Sequence, residues 1–241
     1  MLNEEEICRR RITQRMNKAL RDYRLIDEGD RVLVALSGGK DSLCLTEMLG
    51  RRKSVFVPRF SIEAVHVRME NVCYESDTTY LENFCKSWDI PLHVVTTRFD
   101  KRENGREKPA CFLCSWNRRK QIFNLAQELG CNKIALGHHQ DDIVQTALMN
   151  LFFQGRFDSM PPLLKMEKMP LSLIRPLCTC EEKDIALYAQ LMEYKLQRKH
   201  CPFEDATNRN TMKQLMEQLE GISPNLRSSV WNALNNPRHA E

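Results

Sequence analysis

Long apolar runs are what this chain most plainly lacks. The longest uncharged stretch, residues 143–155, is too short to cross a bilayer. Its opening, Met1-Leu2-Asn3-Glu4-Glu5-Glu6, holds no apolar segment of the kind that directs export. No membrane association is therefore expected, and the expected compartment is the cytoplasm. Internal repeats and low-complexity tracts are also missing, which leaves an ordinary globular chain. A strong charge imbalance is absent too, since the net charge is only +4. A Walker A loop, with glycines spaced around four residues ahead of Lys-Ser/Thr, is nowhere found. A disulfide framework is not expected either, because ten cysteines in an unexported chain of 241 residues point to metal or redox chemistry. At that length the chain is one large domain, or one with appendages, able to bury a real core.

The stretch that organises the rest is Val32-Leu33-Val34-Ala35-Leu36 followed by Ser37-Gly38-Gly39-Lys40-Asp41-Ser42. The apolar β-branched run predicts a buried parallel strand. Leu43, Leu45, Met48 and Leu49 then fall at helical spacing until Gly50. Between strand and helix, Gly38 and Gly39 carry no Cβ, so backbone N–H groups can approach an anion. The helix that follows points its positive end at the same place. Asp41 offers a carboxylate for magnesium, and Ser37 and Ser42 offer hydroxyls. The hexapeptide resembles the pyrophosphate loop of enzymes that split ATP into AMP and pyrophosphate.

Elsewhere the pattern alternates. Strands are expected at residues 62–67, 91–96, 133–136 and 173–177. Helices are expected at 7–23, 78–88, 111–129, from 143, from 185, and at 211–219 ahead of a polar tail. Such alternation implies βαβ units and hence an α/β fold, a parallel five-stranded sheet flanked by helices. Residues 99–109 are polar and read as a loop. Three parts are expected: a basic N-terminal helical segment (1–30), an ATP-binding domain (31–200) and a C-terminal segment (201–241). Ligands of such sheets bind beyond the carboxyl ends of the strands, where Gly137-His138-His139-Gln140-Asp141-Asp142 follows the fourth strand. Beside a triphosphate these acids can carry magnesium, and one of the two histidines is expected to face the nucleotide.

Cations are clustered rather than numerous. Arg9, Arg10, Arg11, Arg15, Lys18, Arg21 and Arg24 lie together with one acid, Asp22, and a second basic cluster spans residues 98–120. Either cluster reads as a solvated face or as a nucleic-acid contact. Cys111 and Cys114 form a C-x-x-C, a spacing that serves zinc, iron–sulfur or dithiol chemistry. Cys178 and Cys180 could complete a four-thiolate zinc site, while Cys201, isolated in a His-Cys-Pro turn, is the competing third ligand. Cys8, Cys44, Cys85 and Cys131 read as small apolar fillers; Cys73 has no clear role.

Taken in order, Leu25-Ile26-Asp27-Glu28-Gly29-Asp30-Arg31-Val32, the 37–42 loop, Cys111-x-x-Cys114-Ser115, Lys133-Ile134-Ala135-Leu136-Gly137-His138-His139, Met160-Pro161-Pro162 and Ile174-Arg175-Pro176-Leu177 resemble the tRNA 2-thiocytidine synthetase family over residues 12–201. The resemblance implies a pyrophosphate-loop domain of the adenine nucleotide alpha hydrolase-like class. It implies a 4Fe-4S cluster on Cys111, Cys114 and Cys201, with one iron free to hold sulfide. The implied ATP-binding residues are Ala35, Leu36, Ser37, Gly38, Gly39, Asp41, Ser42, Val67, Gly137, His138 and Asp142. The implied catalytic groups are Asp41, Asp142, Cys111 and Cys114. Lys40 stands where the family varies, so it is not expected to be essential. The implied reaction uses ATP and magnesium to adenylate the C2 oxygen of an anticodon-loop cytidine (position 32 of the tRNA) and replaces that oxygen with sulfur. The implied partners are tRNA and a sulfur donor such as a cysteine desulfurase, with a homodimer admitted. Arg68-Met69-Glu70-Asn71-Val72-Cys73 and the short tail after Cys201 depart from the family pattern and bear on the substrate. The rivals are a lysidine-synthetase-like cytidine modification, a related sulfur transferase acting on another base or small molecule, and a nucleotide-binding module with structural zinc.

Overall fold

The computed structural model describes residues 3–55, 57–70, 73–75, 77–99, 102–103, 106–107, 110–200 and 208–235. In chain order the elements are α1 (Glu4–Asp22), β1 (Arg31–Ala35), α2 (Lys40–Lys53), β2 (Ser61–Met69), β3 (Cys73–Glu75), α3 (Thr78–Ser87), β4 (Leu92–Thr97), β5 (Arg102–Glu103) and β6 (Arg106–Glu107). There follow α4 (Ala110–Glu128), β7 (Lys133–Ala135), α5 (Gln140–Gln154), β8 (Leu163–Lys165), β9 (Ser172–Ile174), α6 (Glu182–Leu191), β10 (Arg198–His200), α7 (Asn208–Ile222) and α8 (Leu226–Asn235).

Val32, Leu33 and Val34 are wholly buried, as a strand covered on both faces requires. They place β1 inside a six-stranded sheet of order β4-β2-β1-β7-β9-β8. The chain builds outward from β1 through β2 to β4, then crosses back to add β7 and β9 on the other side. Strand order therefore reverses between β1 and β7, and that is where a crevice opens at the carboxyl ends. Five strands run parallel as expected. The sixth, β8, lies antiparallel on β9 and corrects the five-strand expectation. Leu163-Leu164-Lys165 shows no alternation of its own; the Arg175 N–H bonds the Pro162 carbonyl at 2.9 Å and holds it in register.

On one face, α1, α2, α3 and α6 close the main core around Val32, Val34, Ile62 and Ile174. On the other, α4 lays Ala126, Ile122 and Phe123 over Leu33, Val65, Val67 and Ile134. The stripe expected on α1 is in place, with Ile12, Met16 and Ala19 fully buried. Its basic cluster is in part neither the solvated face nor the nucleic-acid contact read from the sequence. Arg11 meets Asp184 at 2.7 Å and Arg15 meets Glu181 at 2.6 Å, so two of its cations bind α1 to α6.

Beneath the crevice, the buried Glu47 of α2 accepts the hydroxyls of Tyr188 at 2.5 Å and Tyr194 at 2.6 Å and pairs with Arg51 at 2.8 Å. A buried carboxylate needs such partners, since leaving it unpaired costs several kcal/mol. Burial first, then Glu47, pushes the Tyr188 phenol well above its ordinary pKa. This node clamps α6 to α2 and so fixes the base of the loop.

Two further expectations change. The 99–109 stretch read as a loop contains a short antiparallel pair, β5 with β6. The expected polar tail contains α8, whose Trp231 and Leu234 pack against the main core. Among the described residues no helix is long and apolar enough to cross a membrane.

Candidate active site at the switch between β1 and β7

The 37–42 loop leaves β1 and winds into α2 through Gly38, whose φ of +84° favours glycine. Hydroxyls hold its shape. The Gly38 N–H bonds Ser42 Oγ at 3.1 Å, and Ser37 Oγ lies 3.1 Å from Ser42 Oγ. Gly39, the N-cap of α2, makes no side-chain cap hydrogen bond to the helix start. Lys40 turns away to Asp41 at 3.1 Å and Glu182 at 3.2 Å. Burial lowers its pKa, but the two acids outweigh that and hold it above the ordinary lysine value.

The second loop, residues 137–142, meets the first backbone to backbone. A Cβ at Gly137 would stand 3.1 Å from Asp41 C and 3.1 Å from Ser42 N. Gly137→Ala is therefore expected to push the two loops apart by a few tenths of an ångström. AMP formation should fall about tenfold, because small misplacements at a reacting centre are costly. Gly221→Ala has open space around it and serves as the control with unchanged activity.

His139 is the histidine built into this contact. Its buried ring caps α5: Nδ1 accepts the Asp142 N–H at 3.4 Å while the Asp142 carboxylate accepts the His139 N–H at 3.0 Å. The other ring nitrogen, Nε2, faces the acids of both loops. That nitrogen lies 3.7 Å from Asp41 Oδ1 and 3.4 Å from Asp142 Oδ2. One imidazole thus gathers a carboxylate from each loop. Asp141 Oδ2 also lies 3.7 Å from the ring, at Nδ1, but this carboxylate has further partners. It accepts the Glu182 N–H at 2.7 Å and pairs with Arg227 at 2.6 Å, tying α5 to α6 and α8. His138 is half-buried.

A cavity of about 60 Å³ runs along the edge, lined by Ala35, Leu36, Ser37, Val65, His66, Val67, Arg118 and Ile122. The expected nucleotide residues Ala35, Leu36, Ser37 and Val67 share it. Arg118 was legible only as a member of a basic cluster, and its place over the strand ends comes from the docking of α4.

The cysteines sort by burial. Among those whose side chains are described, only Cys111 and Cys114 are not buried. They stand one turn apart at the start of α4 and share a face. Cys178 and Cys180 are fully buried in the opposite core, with the Cys178 thiol pushed by burial up to about 12. No group of three or more metal-ligating side chains forms among the described residues. The four-thiolate zinc scheme is therefore overturned: the pairs lie on different faces of the sheet, and buried thiols resist the ionisation a metal requires. Cys8, Cys44, Cys85 and Cys131 are buried fillers as expected. Cys201 lies outside the described residues.

Gln197 was missed altogether. Its N–H bonds the Gly38 carbonyl at 2.9 Å, and its side chain accepts the Asp77 N–H at 2.5 Å. A Cβ on Gly38 would come within 2.0 Å of Gln197 Cγ, so the segment rests directly on the loop. The chain continues into β10, which pairs antiparallel with β3. No local pattern signals such a contact, since it joins residues far apart in sequence.

The fold and this loop pair define a nucleotide-binding protein of the pyrophosphate-loop class, and a family model described as a PP-loop domain matches residues 5–219. A tRNA-cytidine(32) 2-sulfurtransferase from Shewanella denitrificans is 34% identical over 230 residues, covering 94% of this chain and 71% of that protein. The enzyme of the same name from Paraburkholderia phytofirmans is 36% identical over 236 residues, covering 95% of this chain and 70% of its own length. The chain belongs to the tRNA-cytidine(32) 2-sulfurtransferase family. Among solved structures, the U34-tRNA thiolase NcsA from Methanococcus maripaludis, determined with its [4Fe-4S] cluster, superposes with a TM-score of 0.76 at 25% identity. That match covers 96% of this chain and 78% of the thiolase.

Proposed function

We propose that this chain uses ATP to activate the C2 oxygen of cytidine 32 in tRNA and replaces that oxygen with sulfur. One observation supports the reading above the others. Helix α4 carries Cys111 and Cys114 at its start, and its Arg118, one turn beyond Cys114, lines the cavity at the loop. A single rigid element therefore joins the thiols to the nucleotide edge, separated by about 6 Å of helix rise.

The roles follow from the chemistry of each group. The backbone N–H groups of Gly38 and Gly39, which the Ser42 and Ser37 hydroxyls now accept, turn with those hydroxyls to receive the phosphates. Asp41 and Asp142 are assigned to magnesium, and Ala35, Leu36, Val67, Gly137 and His138 to the surroundings of the nucleotide. The C2 oxygen attacks the α-phosphorus, pyrophosphate leaves, and charge developing on the phosphates is met by the loop dipoles; magnesium, held by Asp41 and Asp142, would add to that stabilisation. Cys111, exposed, and Cys114, half-buried one turn on, fit two ligands of an iron–sulfur cluster, and Cys201 is the proposed third. When bound, the cluster supplies sulfide for C2, after which AMP departs. A cysteine desulfurase is the proposed sulfur source, and the cytoplasm the proposed compartment.

The test is tRNA-dependent ATP cleavage by anaerobically purified protein supplied with sulfide. AMP and pyrophosphate are expected in equal amounts only when tRNA is present. Release of ADP and phosphate, or AMP formation indifferent to tRNA, would overturn the reading.

A further inference from the structure

The inner face of α4 has its apolar partners: Ala126, Ile122 and Phe123 meet the sheet. A helix so docked is expected to show polar residues on its outer face. Here it shows two large rings instead, Phe112 at 51% exposure and Trp116 at 41%. They are four residues apart, hence stacked along one stripe of the helix. Cations continue that stripe. Arg119 and Lys120 are exposed, and Lys120 Nζ sits 5.3 Å from the Trp116 ring centroid. The sole acid in the helix is Glu128, its last residue.

We propose that this outer face of α4 is a stacking platform for unpaired bases of the tRNA loop, with Phe112 and Trp116 as rings and Arg119 and Lys120 as phosphate contacts. The inference rests on the tRNA reading above and extends it to the residues that hold the RNA. Two features on the helix favour RNA over a protein partner. Aromatic rings interleaved with cations and free of acids suit a single strand, whose bases stack while its phosphates pair. The face also begins in the same turn as Cys111 and Cys114. A base drawn out of its stack for chemistry there leaves its neighbours without a partner, and the rings supply one.

The experiment measures binding of an anticodon stem-loop RNA by the holoprotein, with iron content and ATP affinity checked for every variant. A second RNA lacks the bases flanking the target cytidine. Trp116→Ala and Phe112→Ala are each expected to weaken binding of the intact RNA about tenfold or more. Trp116→Leu, which keeps apolar bulk without stacking, should behave like the alanine variant, and Trp116→Phe should restore affinity. The wild-type protein should lose affinity on the abasic RNA, whereas Trp116→Ala should lose little more. If the variants bind intact RNA as tightly as wild type, the platform is wrong while the tRNA reading stands. Lost thiolation with unchanged RNA binding assigns the face to a protein such as the sulfur donor, and also overturns it. If the wild-type protein itself fails to bind the RNA, both readings fall together.

Discussion

Replacing Cys111 or Cys114 by alanine is expected to yield a colourless protein that binds ATP with unchanged affinity and thiolates no tRNA. A cluster ligand must be a thiolate that the cofactor can reach. Both residues meet the second demand at the start of α4, one exposed and one half-buried. The other cysteines with described side chains fail it. Cys178 and Cys180 are sealed between α1 and the sheet, and burial holds the Cys85 and Cys178 thiols up at about 12. Cys178→Ala should therefore keep its iron and activity and cost about 1 kcal/mol of stability, as a modest core truncation does. Iron and acid-labile sulfide assays on anaerobic protein check both arms. Wild-type iron content in Cys111→Ala would remove that residue from the ligand set.

Asp41→Ala and Asp142→Asn are expected to cut AMP formation by about 10²- to 10³-fold, the scale on which single charge-stabilising groups act. The two carboxylates come from different loops and converge on His139 Nε2, at 3.7 Å and 3.4 Å. In the function proposed above they share a magnesium ion, one carboxylate coming from each loop. Asp141 gives the contrast. Its Oδ2 lies 3.7 Å from His139 Nδ1 but accepts the Glu182 N–H, and its Oδ1 pairs with Arg227. Asp141→Ala should lower the melting temperature while the folded fraction still cleaves ATP. Comparing turnover per folded protein with thermal unfolding separates the two aspartates; equal turnover losses at Asp141 and Asp142 would contradict their division of labour.

Much of this arrangement was legible because it is local. The run through Val32, Leu33 and Val34 fixes a strand buried on both faces, and a glycine turn followed by helical spacing fixes what comes next. The alternation of strands and helices then dictates the parallel sheet, and the sheet dictates the edge where the loops meet. What escaped is non-local. β8 is a strand only because β9 offers it a partner, and α8 is held because α5 and the main core cover its apolar side. The arginines of α1 look like a free basic face until Asp184 and Glu181 arrive from more than 150 residues away. The choice between Asp141 and Asp142, adjacent and chemically identical, depends on which side of α5 meets the loop. The cysteine pairs posed the same problem: spacing made both plausible ligands, and only burial tells them apart.

The most direct measurement is nucleoside analysis of tRNA after incubation with the anaerobic protein, ATP, magnesium and sulfide. 2-Thiocytidine is expected at position 32, to depend on ATP, and to disappear in Cys111→Ala and Asp41→Ala. An unthiolated cytidine 32 with full iron loading, or lysine or sulfur found at a different base, would contradict the assignment of this site to cytidine thiolation.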